Sequence, residues 1–270
     1  WCQAILCHEA YLLYPPVHFG EATPLQRLKV AAKRWRFQRD IRNTWLVFFQ
    51  TPVAAKRFNE SYRFEGEVAV APNAVSVHTM TKTGKAGVPA PLAGVEATTK
   101  LFCLTLYAPH KNLESIVRMF DCYRDELQDV AVVLTISPNH HPNADRLLKL
   151  IPRLGLERNI VNVGPLPQAE LWRYFEHCQA LFLPTLLESF SGTYLEAMHF
   201  GRPILTSDLD FAHYACGDAA LYFDPWNIES MKDAILKLKS DKELVKRLIN
   251  DGADRLGTKF PGWYEVARVM

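Results

Sequence analysis

From residue 100 onward, short apolar or β-branched runs alternate with stretches in which apolar residues recur every three or four positions. Period-free apolar runs predict strands covered on both faces, and the longer periodic stretches predict helices packed on them. The expected strands are Leu101–Leu106, Val130–Ile136, Ile160–Val163, Ala180–Pro184, Pro203–Ser207 and Ala219–Phe223. Leu113, Ile116, Val117 and Phe120 mark a helix between the first two, with Asn112 placed to cap it. Further helices are expected at Ala144–Leu154, interrupted by Pro152, then at Gln168–Cys178, Thr193–Phe200, Ile228–Leu238 and near Glu243–Asp251. Gly201 and Pro203 end the helix before them and start the next strand. Strand and helix in alternation give a doubly wound α/β unit, whose ligand crevice lies beyond the carboxyl ends of its strands.

The front of the chain reads as α/β on a smaller scale. It has apolar runs at Ala4–Cys7, Trp45–Phe49 and Glu67–Val70 and a short helix at Val53–Phe58. Three strands are too few for a full second unit of this kind. Ser76–Thr99, rich in Thr, Gly, Pro and Ala, has linker composition. The expected architecture is therefore α/β with two Rossmann-like parts. Residues 1–75 form an incomplete acceptor-side domain, 76–99 a linker, 100–255 a nucleotide-binding domain, and 256–270 a segment returning to the first domain. Trp1 stands where a start Met is usual, so an upstream segment is also expected.

Composition narrows the function classes. The chain has 270 residues, 49% hydrophobic and 22% charged, the balance of a folded protein. A net charge of +2 is too small to imply a nucleic-acid partner. The charge is uneven, however. Segment 27–42 holds Arg27, Lys29, Lys33, Arg34, Arg36, Arg39 and Arg42 against Asp40 alone, with Leu28, Val30, Trp35, Phe37 and Ile41 between them. This is either a basic amphipathic helix suited to an anionic membrane surface or the solvated face of a packed helix. No apolar stretch reaches the roughly 18 to 20 residues that span a bilayer. The expected location is the cytoplasm, at the inner face of the membrane if the basic segment binds there. Cys2, Cys7, Cys103, Cys122, Cys178 and Cys216 show no metal-ligand spacing and are expected as buried free thiols.

The most informative stretch runs from Leu181 to Pro203. Glu188 stands in a loop just past a strand, Gly192 precedes a helix, and Glu196 lies one turn inside it. A helix start offers free amides and the positive end of a dipole to a diphosphate, while carboxylates accept from sugar and ribose hydroxyls. This stretch resembles the Glu-x7-Glu region of glycosyltransferase family 4, with its Ala-Met-x-x-Gly-x-Pro signature at 197–203. The resemblance extends to Asp208–Asp210, to Cys216–Pro225, to the lysine loop Pro109–Glu114 and to Ala71–Ala74, covering about residues 65–265.

That resemblance implies a GT-B fold and transfer of a hexose, mannose-like or glucose-like, from a nucleotide-diphosphate sugar to a glycan or lipid-linked acceptor. It implies retention of configuration and no metal or other cofactor, in surface polysaccharide synthesis. By the same resemblance Lys111, Ser191, Gly192, Thr193, Tyr194 and Glu196 meet the donor. Glu188 faces the transferred sugar, and His8, after the first apolar run, faces it from the other domain. Relatives often carry an arginine where Leu106 stands and a glutamate where Tyr214 stands. Asp208-Leu-Asp210 has the form of an Asp-x-Asp metal site, but lies in a segment resembling a metal-independent family, and His140-His141 lacks supporting ligand spacing. The glycines form no dinucleotide fingerprint. The competing reading is a nucleotide-sugar binding module without efficient catalysis; an epimerase on the same architecture fits the 188–203 pattern less well.

Overall fold

The structure is a computed structural model and describes residues 3–74, 87–260, 262 and 268. It contains two parallel sheets. The first joins β1 (Ala4–Cys7), β2 (Leu46–Phe49) and β3 (Glu67–Val70) in that order, Ala4 opposite Leu46 and Leu46 opposite Glu67. β2, Leu-Val-Phe-Phe, is buried along its whole length, as a central strand covered on both faces must be. Helix α1 (Pro24–Asp40) starts at Thr23, which forms a reciprocal capping box with Gln26. Helix α2 (Pro52–Ser61) starts at Thr51, whose hydroxyl accepts from the Ala54 amide at 3.0 Å, with Pro52 in the first turn, where no amide is needed.

The second sheet has six strands: β4 (Thr99–Cys103), β5 (Val130–Leu134), β6 (Ile160–Asn162), β7 (Ala180–Leu183), β8 (Ile204–Ser207) and β9 (Ala220–Phe223). Their spatial order is β6-β5-β4-β7-β8-β9. The chain builds outward from β4 in one direction, then crosses back to β7 and builds in the other. The order therefore reverses between β4 and β7, where loops diverge and a crevice opens. The intervening helices are α3 (Leu113–Cys122), α4 (Pro142–Arg153), α5 (Leu171–His177), α6 (Gly192–His199), α7 (Asp210–Cys216), α8 (Ile228–Ser240) and α9 (Lys242–Lys259). Phe102, Phe120, Phe175, Phe182 and Phe223 fill the core between these layers.

Several expectations need correction. Asn112 sits at the start of α3 but does not cap it: its backbone is left-handed (φ 57°) and its amide donates to the Pro225 carbonyl at 2.8 Å. Pro152 does not interrupt α4, because it falls in the last turn, where one lost amide bond costs little. Asp210–Cys216 is a helix, its buried Phe211, Ala212, Ala215 and Cys216 at helical spacing. Segment 27–42 has no single apolar face: Val30 and Phe37 pack inward, Leu28 and Trp35 point outward, and Ile41 is buried in the next turn. Cys122 is an exposed free thiol; Cys7, Cys103, Cys178 and Cys216 are free and buried. Of the expected linker, 75–86 lies outside the described residues, and Ala90–Leu92 forms a turn with Leu92 buried. Most of 256–270 beyond α9 also lies outside them. Among the described residues no helix is long and apolar enough to cross a membrane.

The carboxyl end of the first sheet meets the second through specific bonds. Arg57 of α2 donates to Asp210 of α7 at 2.7 Å, and the Tyr14 hydroxyl donates to the other oxygen of Asp210 at 3.0 Å. The Arg57 guanidinium lies 4.0 Å from the centre of the Tyr14 ring. Tyr11 meets His110 Nδ1 at 2.7 Å. Gly20 (φ 58°) passes so close to Pro109 that an added Cβ would lie 2.1 Å from its carbonyl oxygen. Any larger residue there would push the two parts of the chain apart.

Two histidines in this seam set an acid limit. Burial, then the charge of Arg57, pushes His18 down to about 4; burial, then Lys111, pushes His110 down to about 3. Both stay neutral when folded, whereas the unfolded chain protonates them below about 6.5. Their contribution to stability is thus fully present above that value and is lost as pH falls through it toward the folded pKa. Stability is expected to fall progressively below about pH 6.5, by at most roughly 1.4 kcal/mol per histidine per pH unit, and the melting temperature with it. Thermal melts against pH should show a shallower slope for His18→Phe; an unchanged slope would remove this account.

Candidate functional site

A crevice of about 600 Å³ opens at the carboxyl ends of β4 to β7, at the reversal of strand order. This is within the range of small-ligand sites. A larger concavity of about 800 Å³, between Gln38, Arg42, Tyr62 and Gly66, lies at the amino ends of the first sheet's strands, away from the loops that diverge. The crevice at the reversal is the stronger candidate, because four strand ends and a helix start aim side chains and amides into it.

Its walls are built from successive post-strand loops. Leu104, Thr105, Leu106 and Lys111 follow β4; Thr135 follows β5; Pro165, Leu166 and Gln168 follow β6; Glu188, Ser191, Thr193 and Glu196 follow β7. Thr135 ties two of these loops together, its hydroxyl donating to the Thr105 carbonyl at 2.9 Å and accepting from the Thr105 amide at 3.0 Å. Lys111 ends the short turn Pro109–Lys111 ahead of α3. That turn is held to the loop after β7, since the His110 carbonyl accepts from the Leu186 amide at 2.8 Å. Across this junction Lys111 Nζ reaches Glu188 Oε1 at 2.5 Å, with side chains only 20% and 12% exposed. Thr185 donates to the same carboxylate oxygen at 3.0 Å. A cation and a carboxylate are thus held together at the crevice mouth in a half-dry setting, where charges interact more strongly than in water.

The start of α6 is open. Ser191 occupies the capping position, but its side chain makes no cap bond. The first amides of a helix have no partner within it, so those of Gly192 and Thr193 are free to meet an anion. A Cβ built on Gly192 would touch nothing within 4 Å, so glycine is not required by the protein's own packing and the space beside it is open. Glu196, one turn further on, lines the crevice without a hydrogen-bonding partner among the described residues, and burial pushes its carboxyl up. Its oxygens are available to ligand hydroxyls.

Two sequence candidates are placed differently. Tyr194 is buried beneath α6: its hydroxyl pairs with Thr206 Oγ1 at 2.7 Å, and its amide already donates to the Ser191 carbonyl at 3.3 Å. It supports the helix rather than facing the crevice. His8 is exposed just past β1, at the end of the first sheet that meets the second, but is not among the lining residues. Leu106, 64% exposed, stands on the rim. Asp208 and Asp210 do not converge: Asp208 pairs with His213 at 2.6 Å, while Asp210 is taken by Arg57 and Tyr14. His140 and His141 serve the backbone, accepting from the Ser137 and Asn143 amides at 3.1 Å each. Among the described residues no group of three or more His, Cys, Asp or Glu is placed to hold a metal.

The sequence reading passed over Thr105, Thr135, Pro165, Leu166 and Gln168. A signal was present, since each follows a strand end on the side where an α/β sheet binds ligands.

Comparison with known proteins agrees with this geometry. Residues 94–255 match the family of glycosyl transferases group 1. The chain is 24% identical over 149 residues to the serotype-specific mannosyltransferase WbdA of Escherichia coli, covering 55% of this chain and 18% of that one. It is 25% identical over 142 residues to the O-antigen chain mannosyltransferase RfbU of Salmonella typhimurium, covering 53% and 39%. The chain thus spans less than half the length of these curated relatives. Among solved structures, sucrose-phosphate synthase from Thermosynechococcus elongatus superposes with a TM-score of 0.74 at 17% identity, covering 98% of this chain and 65% of that one. Anabaena HepE in complex with UDP and glucose gives a TM-score of 0.73 at 15% identity, covering 98% and 69%.

Proposed function

The chain belongs to the group 1 glycosyl transferases, with the GT-B fold, and on that footing we propose that it moves a hexose from a nucleotide-diphosphate sugar to a glycan or lipid-linked acceptor, with retention of configuration. The observation that carries the reading is the convergence of Lys111, the open start of α6 and the unpartnered Glu196 on one crevice. A diphosphate needs cation and amide donors, and a ribose needs a carboxylate acceptor. All three lie on the walls of the one crevice. The relatives named as mannosyltransferases, two of them tied by name to serotype or O-antigen, support a surface polysaccharide as the product.

In this reading the bond between the anomeric carbon and the diphosphate oxygen breaks while a bond to the acceptor oxygen forms. The acceptor's proton leaves on the departing diphosphate. The protein's contribution is electrostatic: Lys111 and the Gly192 and Thr193 amides stabilise charge growing on the leaving group, and Glu188 stabilises positive charge on the sugar. Thr185 holds Glu188 in place while Lys111, paired with the same carboxylate in the ligand-free protein, turns to the diphosphate. Ser191 and Thr193 offer hydroxyls beside the same path.

The test is turnover: release of nucleoside diphosphate from a panel of donor sugars with oligosaccharide acceptors, and the product's anomeric configuration by NMR. A product with the donor's configuration is expected, with the rate lowered about a hundredfold or more in Glu188→Gln. Donor binding without turnover on any acceptor would reduce the chain to a binding module. An inverted product would contradict the mechanism.

A further inference from the structure

The outward face of α1 is used by neither the crevice nor the core. Leu25, Leu28 and Trp35 are 61%, 65% and 68% exposed. At about 100° per helical residue these three and Ala32 fall within an arc of about 80°. Arg39 lies within the same arc, its guanidinium 5.5 Å from the centre of the Trp35 ring. Lys29, Lys33 and Arg36 run along one side of it. The opposite face is tied down: Val30 and Phe37 pack on the core, Arg27 donates to the Pro16, Ala22 and Gly20 carbonyls, and Arg34 donates to those of Tyr11 and Tyr14. The apolar tips are therefore presented to solvent on a fixed helix rather than on a loose one.

Charge decides what the face fits. Residues 24–42 carry seven basic side chains and one acid, Asp40, in a chain of net charge +2. Asp40 is itself engaged by Arg36 and Arg39, and Glu9, from the loop after β1, pairs with Lys33. A second copy of the chain would bring two such basic faces together. Three apolar side chains also offer far less than the roughly 800 Å² per partner of a stable protein interface. A nucleic-acid backbone would use the cations but leave Leu25 and Leu28 against water. An anionic bilayer uses both, since apolar tips enter the headgroup and acyl boundary to about 5 to 10 Å while lysines and arginines stay with the phosphates.

We propose that α1 docks this protein on a membrane containing anionic lipid, with Leu25, Leu28 and Trp35 inserted and Lys29, Arg36 and Arg39 in contact with headgroup phosphates. The docking is peripheral and stands independently of the transferase reading.

The test is flotation of the full chain with two kinds of vesicle, phosphatidylcholine alone and phosphatidylcholine with about a third phosphatidylglycerol. Wild type is expected to float with the anionic vesicles and to come off as salt is raised. Lys29→Gln with Arg36→Gln should weaken partition roughly 25-fold, about fivefold for each basic residue lost. Leu28→Ser with Trp35→Ser should weaken it at least about tenfold. Both variants should keep the wild-type melting temperature, because these side chains lie outside the core. Equal partition on both vesicles, or none, overturns the proposal. So does an unchanged partition for the Leu28 and Trp35 variant with equal binding to duplex DNA, which would mark a bare polycation. A dimer in sedimentation velocity that disappears in that variant, with no vesicle binding, would assign the face to a second copy.

Discussion

Lys111→Ala is expected to weaken binding of a nucleoside diphosphate by roughly a hundredfold, as loss of one partner from a charge-assisted contact in a half-buried site does. Interpretation requires a second variant, because Lys111 also neutralises Glu188 at 2.5 Å in the ligand-free protein. Removing the lysine alone leaves a carboxylate at 12% exposure with only Thr185 for company, which should cost about 1 to 3 kcal/mol of stability. Lys111→Ala with Glu188→Ala should recover most of that stability and none of the affinity. Calorimetric titration and thermal melts on the four proteins separate the two roles. If the double variant regained donor affinity, Lys111 would be a structural partner of Glu188 and not a phosphate contact.

Asp210→Ala is the second large effect. One carboxylate receives Arg57 at 2.7 Å and Tyr14 at 3.0 Å, and these join α2 and the loop after β1 to α7 across the seam between the sheets. Asp210 is 38% exposed and Arg57 24%, so solvent screens part of the attraction. An expected loss of about 1 to 3 kcal/mol follows from two bonds to a charged acceptor, or several degrees of melting temperature for a chain of this size. Arg57→Met should cost a similar amount, and the double variant less than the sum, because the partners act as a unit. Addition of Mg²⁺ or Mn²⁺ should change none of these melts. A stabilisation of wild type by divalent ions that vanishes in Asp210→Ala would instead support a metal site at Asp208 and Asp210.

Most of the second sheet was legible because its strands are apolar throughout and its helices amphipathic. Val130–Leu134 and Ile160–Asn162 begin where the apolar runs begin, and α8 begins at Ile228 as its periodicity requires. The first sheet was legible for the same reason at Ala4–Cys7 and Glu67–Val70. Strand order was not. It depends on which faces meet, and no local pattern encodes the return from β6 to the far side of β4. Glu188, Ser191 and Glu196 could be placed because a loop, a helix start and one helical turn fix their spacing along the chain. Their junction with Lys111 crosses 77 positions and needs the turn at Pro109–Lys111 to rest on the loop after β7.

Tyr194 shows the opposite case. Its neighbours face the crevice, but helix geometry rotates it by one position into the core, where Thr206 waits for its hydroxyl. Asp210, whose Asp-x-Asp form found no support in the sequence as a metal site, is used instead by Arg57 of α2. The basic segment offers two readings in the sequence, a membrane-facing amphipathic helix or the solvated face of a packed one, and its apolar residues divide between the core and the outside. That division could have been read from the spacing, with Val30 and Phe37 seven apart on one side and Leu28 and Trp35 seven apart on the other.

The most direct test of the central claim is a crystal structure of this chain with the nucleoside diphosphate, UDP, GDP or ADP, that binds most tightly. The account predicts a diphosphate within hydrogen-bonding reach of Lys111 Nζ and the Gly192 and Thr193 amides, with the ribose hydroxyls on Glu196. A nucleotide bound elsewhere, or bound in the crevice with its phosphates turned away from α6, would contradict it.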